Sequence, residues 1–179
     1  MTRRADGPAG TPEETTALEE ELLGIAGSVP DPELPVLTLA ELGVLRGLHV
    51  LGPGRVEVEL TPTYTGCPAV EAMSADIVRA LRERGMTDVS VRTVLSPPWT
   101  TDAITDEGRR KLAEFGIAPP RGTGSAAGGG PVAVDLAVRC PRCGSTDTTL
   151  LSRFSSTACK ALRRCASCQE PFDHFKELT

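Results

Sequence analysis

A chain of 179 residues has room for one domain of ordinary size, or for a domain of roughly 100–120 residues followed by a small module that needs help to fold. Hydrophobic residues make up 40% and charged residues 24%, as in a soluble globular protein, while aromatics at 3%, with one Trp and one Tyr, leave the core to aliphatic side chains. The formal net charge of -5 divides into -7 over residues 1–139 and +2 over residues 140–179, and an acidic body excludes general nucleic-acid binding, which depends on Lys and Arg to neutralise phosphates.

No run approaches the roughly 18 apolar residues of a membrane span, and the polar opening MTRRADGPAGTPEE lacks the apolar core of a signal peptide. The expectation is a cytoplasmic protein without membrane or nucleic-acid partners. In that compartment thiols stay reduced, so six cysteines, four of them in two CxxC pairs, point to metal rather than to disulfides.

Residues 1–10 read as a disordered N-terminus, and Thr11-Pro12-Glu13-Glu14 as a helix start with an N-cap, a Pro at the first helical position and a capping-box Glu. Leu18, Leu22 and Ile25 form one apolar stripe, which Gly27 and Pro30 end. Asp31-Pro32-Glu33-Leu34-Pro35 is a stiff loop carrying two carboxylates. A hairpin is predicted from about Val44 to Leu51 and Arg55 to Leu60, turning at Gly52-Pro53-Gly54, with Val56, Val58 and Leu60 on its buried face. Apolar residues at helical spacing predict a helix over Pro68–Arg84, alternation at Val89, Val91, Thr93 and Leu95 a third strand, and Asp106 to Phe115 a short closing helix. The fold expected for residues 11–120 is a small mixed-sheet α/β sandwich. Residues 121–137 hold the Gly-rich run RGTGSAAGGGP and read as a flexible linker that lets the tail, 138–179, move relative to the body.

That tail carries Cys140-Pro-Arg-Cys143 and Cys165-Ala-Ser-Cys168, two knuckles separated by 21 residues. Each CxxC turn aims two sulfurs at one point, and two turns complete a tetrahedron around one structural zinc, with a rubredoxin-like iron, a cluster or a non-metal role as the alternatives. Thr148 to Phe154 and Ala158 to Arg163 have the length and content of the hairpin a zinc ribbon requires. A module of this size cannot bury enough apolar surface by itself, so metal binding supplies its folding free energy.

Thr61-Pro-Thr-Tyr-Thr-Gly-Cys67-Pro68 runs from a strand end through a turn at Gly66 into a helix, placing Cys67 at the N-cap. There the unpaired amides and the helix dipole favour a thiolate, a better nucleophile or ligand; a small buried capping thiol fits the local pattern equally well. Asp31 and Glu33 are candidate hard ligands or bases reaching Cys67, against the plainer role of turn stabilisers. Cys159 reads as a small residue of a ribbon strand rather than a fifth ligand. His49 and His174 lack a partner at ligand spacing and read as structural. Trp99 reads either as a packing anchor or as a surface contact.

At these residues the chain resembles a known family along most of its length. DPELPVLTLAELGVLR, TPTYTGCPA, SPPWTTDAITDEGRRKLAEFGIAPP and STACKALRRCASCQEPFDHFK together resemble the PaaD (or PaaJ) family, a component of the bacterial ring-1,2-phenylacetyl-CoA epoxidase system. The N-terminal domain is similar to the SufT-like iron-sulfur assembly domain, whose pattern joins an Asp-Pro-Glu loop to a loop Cys. Those positions are Asp31, Glu33, Thr61 and Cys67 here. Glu41 departs from an Asp usual in the family, and Ser155 from a Gly.

The resemblance implies an accessory protein of aerobic phenylacetate degradation, beside a di-iron oxygenase and a reductase carrying flavin and an iron-sulfur cluster, with iron-sulfur assembly machinery as a further partner. Cys67, with Asp31, Glu33 and Thr61, would be a transient ligand for iron or a cluster during assembly of the partners' centres, and the ribbon a docking module through Lys160, Arg163 and Arg164. The chain itself has no paired Glu-x-x-His set, no Gly-rich dinucleotide loop and no His partnering Cys67, so no catalytic residue is assigned. The alternative is a stoichiometric structural or regulatory component of the epoxidase complex without a maturation role.

Overall fold

The computed structural model describes residues 12–121 and 137–177. The expected disordered N-terminus and nearly all of the expected linker lie outside the described residues.

The first helix, α1 (Pro12–Gly27), buries Leu22 and Ala26, with Leu18 and Ile25 packed beside them. A single helical turn, α2 (Leu39–Leu42), follows the Pro-rich loop. It is held by a capping box in which the Thr38 hydroxyl accepts the Glu41 amide at 3.2 Å and the Glu41 carboxylate accepts the Thr38 amide at 3.0 Å. Gly43 ends it at φ 72°, and a Cβ there would stand 2.2 Å from the Ala103 carbonyl oxygen, so only glycine fits.

Strands β1 (Leu45–Gly52) and β2 (Arg55–Leu60) form the expected hairpin, and β3 (Asp88–Thr93) adds parallel to β2 after helix α3 (Ala69–Glu83). Val56, Val58 and Leu60 are buried, and so are Met73, Ile77 and Leu81 of α3. α1 and α3 pack on this sheet and on each other. On β2, Glu57 and Glu59 pair with Arg92 of β3, which is the wet face the alternation predicts. The third strand stops at Thr93, and Leu95 beyond it is 59% exposed. Helix α4 (Asp106–Glu114) closes the body, with Lys111 reaching the Glu41 carboxylate at 2.6 Å.

The body and tail share a sheet and a buried cluster. A two-residue strand, β4 (Ile117–Ala118), pairs in parallel with β7 (Pro171–Phe175), which joins β6 (Lys160–Cys165) and β5 (Thr148–Ser152) in a second sheet of order β4-β7-β6-β5. Phe175 and Cys159 belong to the same buried cluster as Leu22, Met73 and Trp99. The expected freedom of the tail is thus replaced by docking, because Phe175 and β7 have apolar and hydrogen-bonding partners on the body. No helix among the described residues is long and apolar enough to cross a membrane.

Candidate metal centre and the adjoining cleft

The two CxxC turns do what their spacing demands. Cys140 donates its amide to Ser145 O at 2.9 Å and its carbonyl accepts the Gly144 amide at 2.9 Å, while the Cys165 amide donates to Glu170 O at 3.0 Å. Gly144 and Gln169 take positive φ just beyond each knuckle, folding the chain back over the sulfurs.

All four sulfurs, of Cys140, Cys143, Cys165 and Cys168, lie within 4.8 Å of one another. The Cys140–Cys168 and Cys143–Cys165 separations are 3.7 and 3.5 Å. A tetrahedron of sulfurs each about 2.3 Å from zinc has edges of about 3.8 Å, so the donor set fits a four-thiolate metal. The amide of Cys168, with that of Ser167, draws the Cys165 thiol down to about 6, which favours its loss of a proton as metal enters. A small core of Ala118, Val138 and Phe172 backs the knuckles.

A second feature lies where the ribbon meets the body. Asp31, Glu33, Thr63, Cys67, Cys159 and Phe175 are among the residues lining a small cleft there. Asp31 is buried, and one of its oxygens accepts the Glu33 amide at 2.9 Å and the Leu34 amide at 2.7 Å, so this carboxylate builds the loop that presents Glu33. Burial raises the pKa of Asp31 against those two amides and the Lys160 charge.

Cys67 is half-buried at the other wall. Pro68, not Cys67, occupies the N-cap of α3, although the Cys67 sulfur does accept the Ala69 amide. The thiolate expected from a helix start is not favoured. Burial pushes the thiol up, and the Glu33 and Asp31 carboxylates add to it, against the Ala69 amide and the Tyr64 hydroxyl. Tyr64, which donates to Cys67, is itself pushed up to about 12, chiefly by burial.

Thr61 is buried with its amide on Val44 O at 2.7 Å, and among the described residues its hydroxyl has no hydrogen-bond partner; Thr63 lines the cleft in its place. Cys159, expected on a ribbon strand, stands just before β6 and lines the cleft, and Tyr64, the chain's one tyrosine, was missed although its place in the Cys67 loop was an available signal.

The basic trio is not a common surface. Lys160 is 6% exposed with its ammonium 3.5 Å from Asp173, so it is a fold contact rather than a docking residue, a correction imposed by the inward face of β6. Arg163 is half-buried against Thr148, and only Arg164 is exposed, 2.8 Å from Gln169. His49 stands 3.8 Å from Glu59 on the open face, and burial draws His174 down to about 4. Trp99 is a packing anchor: it is buried, and its Nε1 donates to Leu42 O at 3.0 Å.

Known proteins resemble the two parts separately and together. Residues 19–93 match the family model described as "Iron-sulfur cluster assembly protein", and residues 126–176 the one described as "PaaD zinc beta ribbon domain". The body is 33% identical over 78 residues to a Staphylococcus aureus "Fe-S protein maturation auxiliary factor SufT", covering 43% of this chain and 88% of that protein. It is 28% identical over 95 residues to a Porphyromonas gingivalis "Fe-S protein maturation auxiliary factor", covering 52% and 90%. The crystal structure of a "Domain of Unknown Function DUF59 from Bacillus anthracis" shares the fold, with a TM-score of 0.53 at 22% identity over 57% of this chain and 97% of that one. Across both parts the chain is 49% identical over 156 residues to the D component of the Escherichia coli K12 "Putative 1,2-phenylacetyl-CoA epoxidase", covering 87% of this chain and 91% of that protein. With an assembly-type body joined to a four-cysteine ribbon and this likeness over nearly the full length of both chains, the chain belongs to the PaaD family of 1,2-phenylacetyl-CoA epoxidase components.

Proposed function

We propose that this chain is a non-catalytic accessory protein of a phenylacetyl-CoA epoxidase system that helps load iron or iron-sulfur centres into its oxygenase and reductase partners, working in the cytoplasm. The observation that carries the reading is the cleft at Cys67: a thiol beside Glu33 and the loop-forming Asp31, on a body similar to iron-sulfur maturation factors. Thiolate and carboxylate together form a borderline donor set suited to iron. Neither residue is arranged for turnover, since no histidine lines the cleft to serve as a base for Cys67. The four-cysteine zinc of the ribbon is structural: it holds the ribbon folded and does not itself carry the cargo.

The test is transfer. The zinc-loaded chain, charged anaerobically with iron(II), is mixed with the iron-free reductase and inorganic sulfide, and iron and electron-transfer activity of the reductase are followed. Recovery with wild type and its loss with Cys67→Ser is the expected result. Equal recovery with both proteins would contradict the reading and leave a structural role in the complex as the account of the chain.

A further inference from the structure

Cys159 is buried, belongs to the ribbon, and is no part of the ribbon's four-sulfur group. Its position is built rather than incidental. The Cys159 carbonyl accepts the Lys176 amide at 2.9 Å, the Thr157 hydroxyl lies 3.1 Å from its sulfur, and the neighbouring Lys160 is tied to Asp173. Phe175, docked on Trp99, holds this edge of the ribbon against the body. The result is that Cys159 lines the same cleft as Cys67, from the opposite folding unit.

Glu33 connects the two thiols. It lines the same small cleft as both Cys67 and Cys159. Among the described residues its carboxylate receives no hydrogen bond and forms no ion pair, in contrast to Asp31, which is committed to two backbone amides. A half-buried carboxylate without a donor, lining one cleft with a half-buried and a buried thiol, is an arrangement that a cation satisfies.

The geometry points to Cys159 as the second sulfur ligand of the Cys67 site, so that body and ribbon together form a seat of two thiolates and the Glu33 carboxylate for an iron(II) cargo. This rests on the reading that Cys67 carries iron. Binding is a ligand exchange without redox: each thiol releases its proton to solvent as its sulfur bonds the ion, and iron remains iron(II). The ribbon sulfurs already stand at metal-binding separation, whereas among the described residues no other set of three such ligands is drawn that close. The cleft ligands must therefore close on the ion, which weakens the site relative to the ribbon and suits a cargo that has to leave. A zinc-folded ribbon is then needed for cargo binding, because it is what places Cys159.

The experiment uses the full chain with its ribbon zinc in place, loaded anaerobically with iron(II), and counts sulfur neighbours of iron by X-ray absorption while zinc content is checked to be unchanged. Two sulfurs at about 2.3 Å with lighter atoms completing the shell is the expected result. One sulfur, none, or four with zinc displaced would overturn the proposal. Cys159→Ala, small enough for the same pocket, should lose one sulfur and weaken iron(II) binding by at least on the order of tenfold. If iron keeps one sulfur that Cys67→Ser removes, Cys159 is excluded while the Cys67 reading survives; if no iron binds beyond the ribbon, both fail.

Discussion

Phe175 on the last strand of the ribbon sets its ring 6.1 Å, centroid to centroid, from that of Trp99 in the body, the planes tilted at 52°. Both side chains are buried, and the indole is fixed by its bond to the Leu42 carbonyl. An aromatic pair of this geometry adds roughly 0.5–1.5 kcal/mol beyond its burial. It also makes the state of the ribbon visible from the body.

Zinc removal should therefore register at Trp99, the one tryptophan of the chain. Without four thiolates held together the ribbon loses its folding free energy, Phe175 withdraws and the indole meets water. Chelation of zinc, or Cys143→Ser, should shift the tryptophan emission to the red, with the body left folded but less stable. Unchanged emission on complete zinc loss would show that the ribbon docks without its metal.

Phe175→Ala tests the docking while sparing the metal. Truncating a fully buried phenylalanine costs about 3–5 kcal/mol. Zinc content should stay at one ion, whereas the melting temperature should fall and Cys159 should become open to alkylation. A variant with wild-type stability and a protected Cys159 would count against the shared core.

Asp31 has its pKa raised above the ordinary 3.8, by burial first and against the amides of Leu34 and Glu33 and the charge of Lys160. A raised carboxyl binds its proton more readily folded than unfolded, so its ionisation lowers stability as pH rises through that range. Asp31→Asn keeps an oxygen for both amides and removes the charge. The two proteins should melt alike below pH 3.8, and the variant should become the more stable one as pH climbs above that value, while binding iron(II) more weakly if the buried charge helps hold the cation. A variant less stable at neutral pH would mean that the carboxylate charge itself stabilises the loop.

The body was legible because its signals are local. Alternation in β2, helical spacing in α3 and the turn at Gly52-Pro53-Gly54 each fix an element within a few residues. The knuckles were legible because CxxC spacing encodes sulfur geometry directly. β4 and β7 were not, since two residues at Ile117–Ala118 carry no periodicity and their pairing is a contact between distant segments. The same distance hid the role of Cys159 and the burial of Lys160. It also reversed the expectation for Cys67, whose helix-start position argues for a thiolate until burial, with the Glu33 and Asp31 charges, pushes the thiol up.

Arg164 is the exposed member of the basic trio, and a ribbon that docks on an acidic partner surface through that trio would do so through this residue. Arg164→Glu should weaken association with the oxygenase or reductase mostly through the on-rate, with a smaller effect at high salt, while Lys160→Glu should instead destabilise the fold by leaving a buried charge beside Asp173. Pull-down of partners at low salt that is indifferent to Arg164→Glu would remove this contact from the docking surface.

The most direct measurement counts metal in the partners. The oxygenase and the reductase are purified from cells carrying wild type or Cys67→Ser, and iron and acid-labile sulfide are determined per protein chain. Both partners should be present in normal amount with the variant yet under-loaded with iron, and growth on phenylacetate should fail. Equal iron and sulfide in the two preparations would contradict iron loading through Cys67.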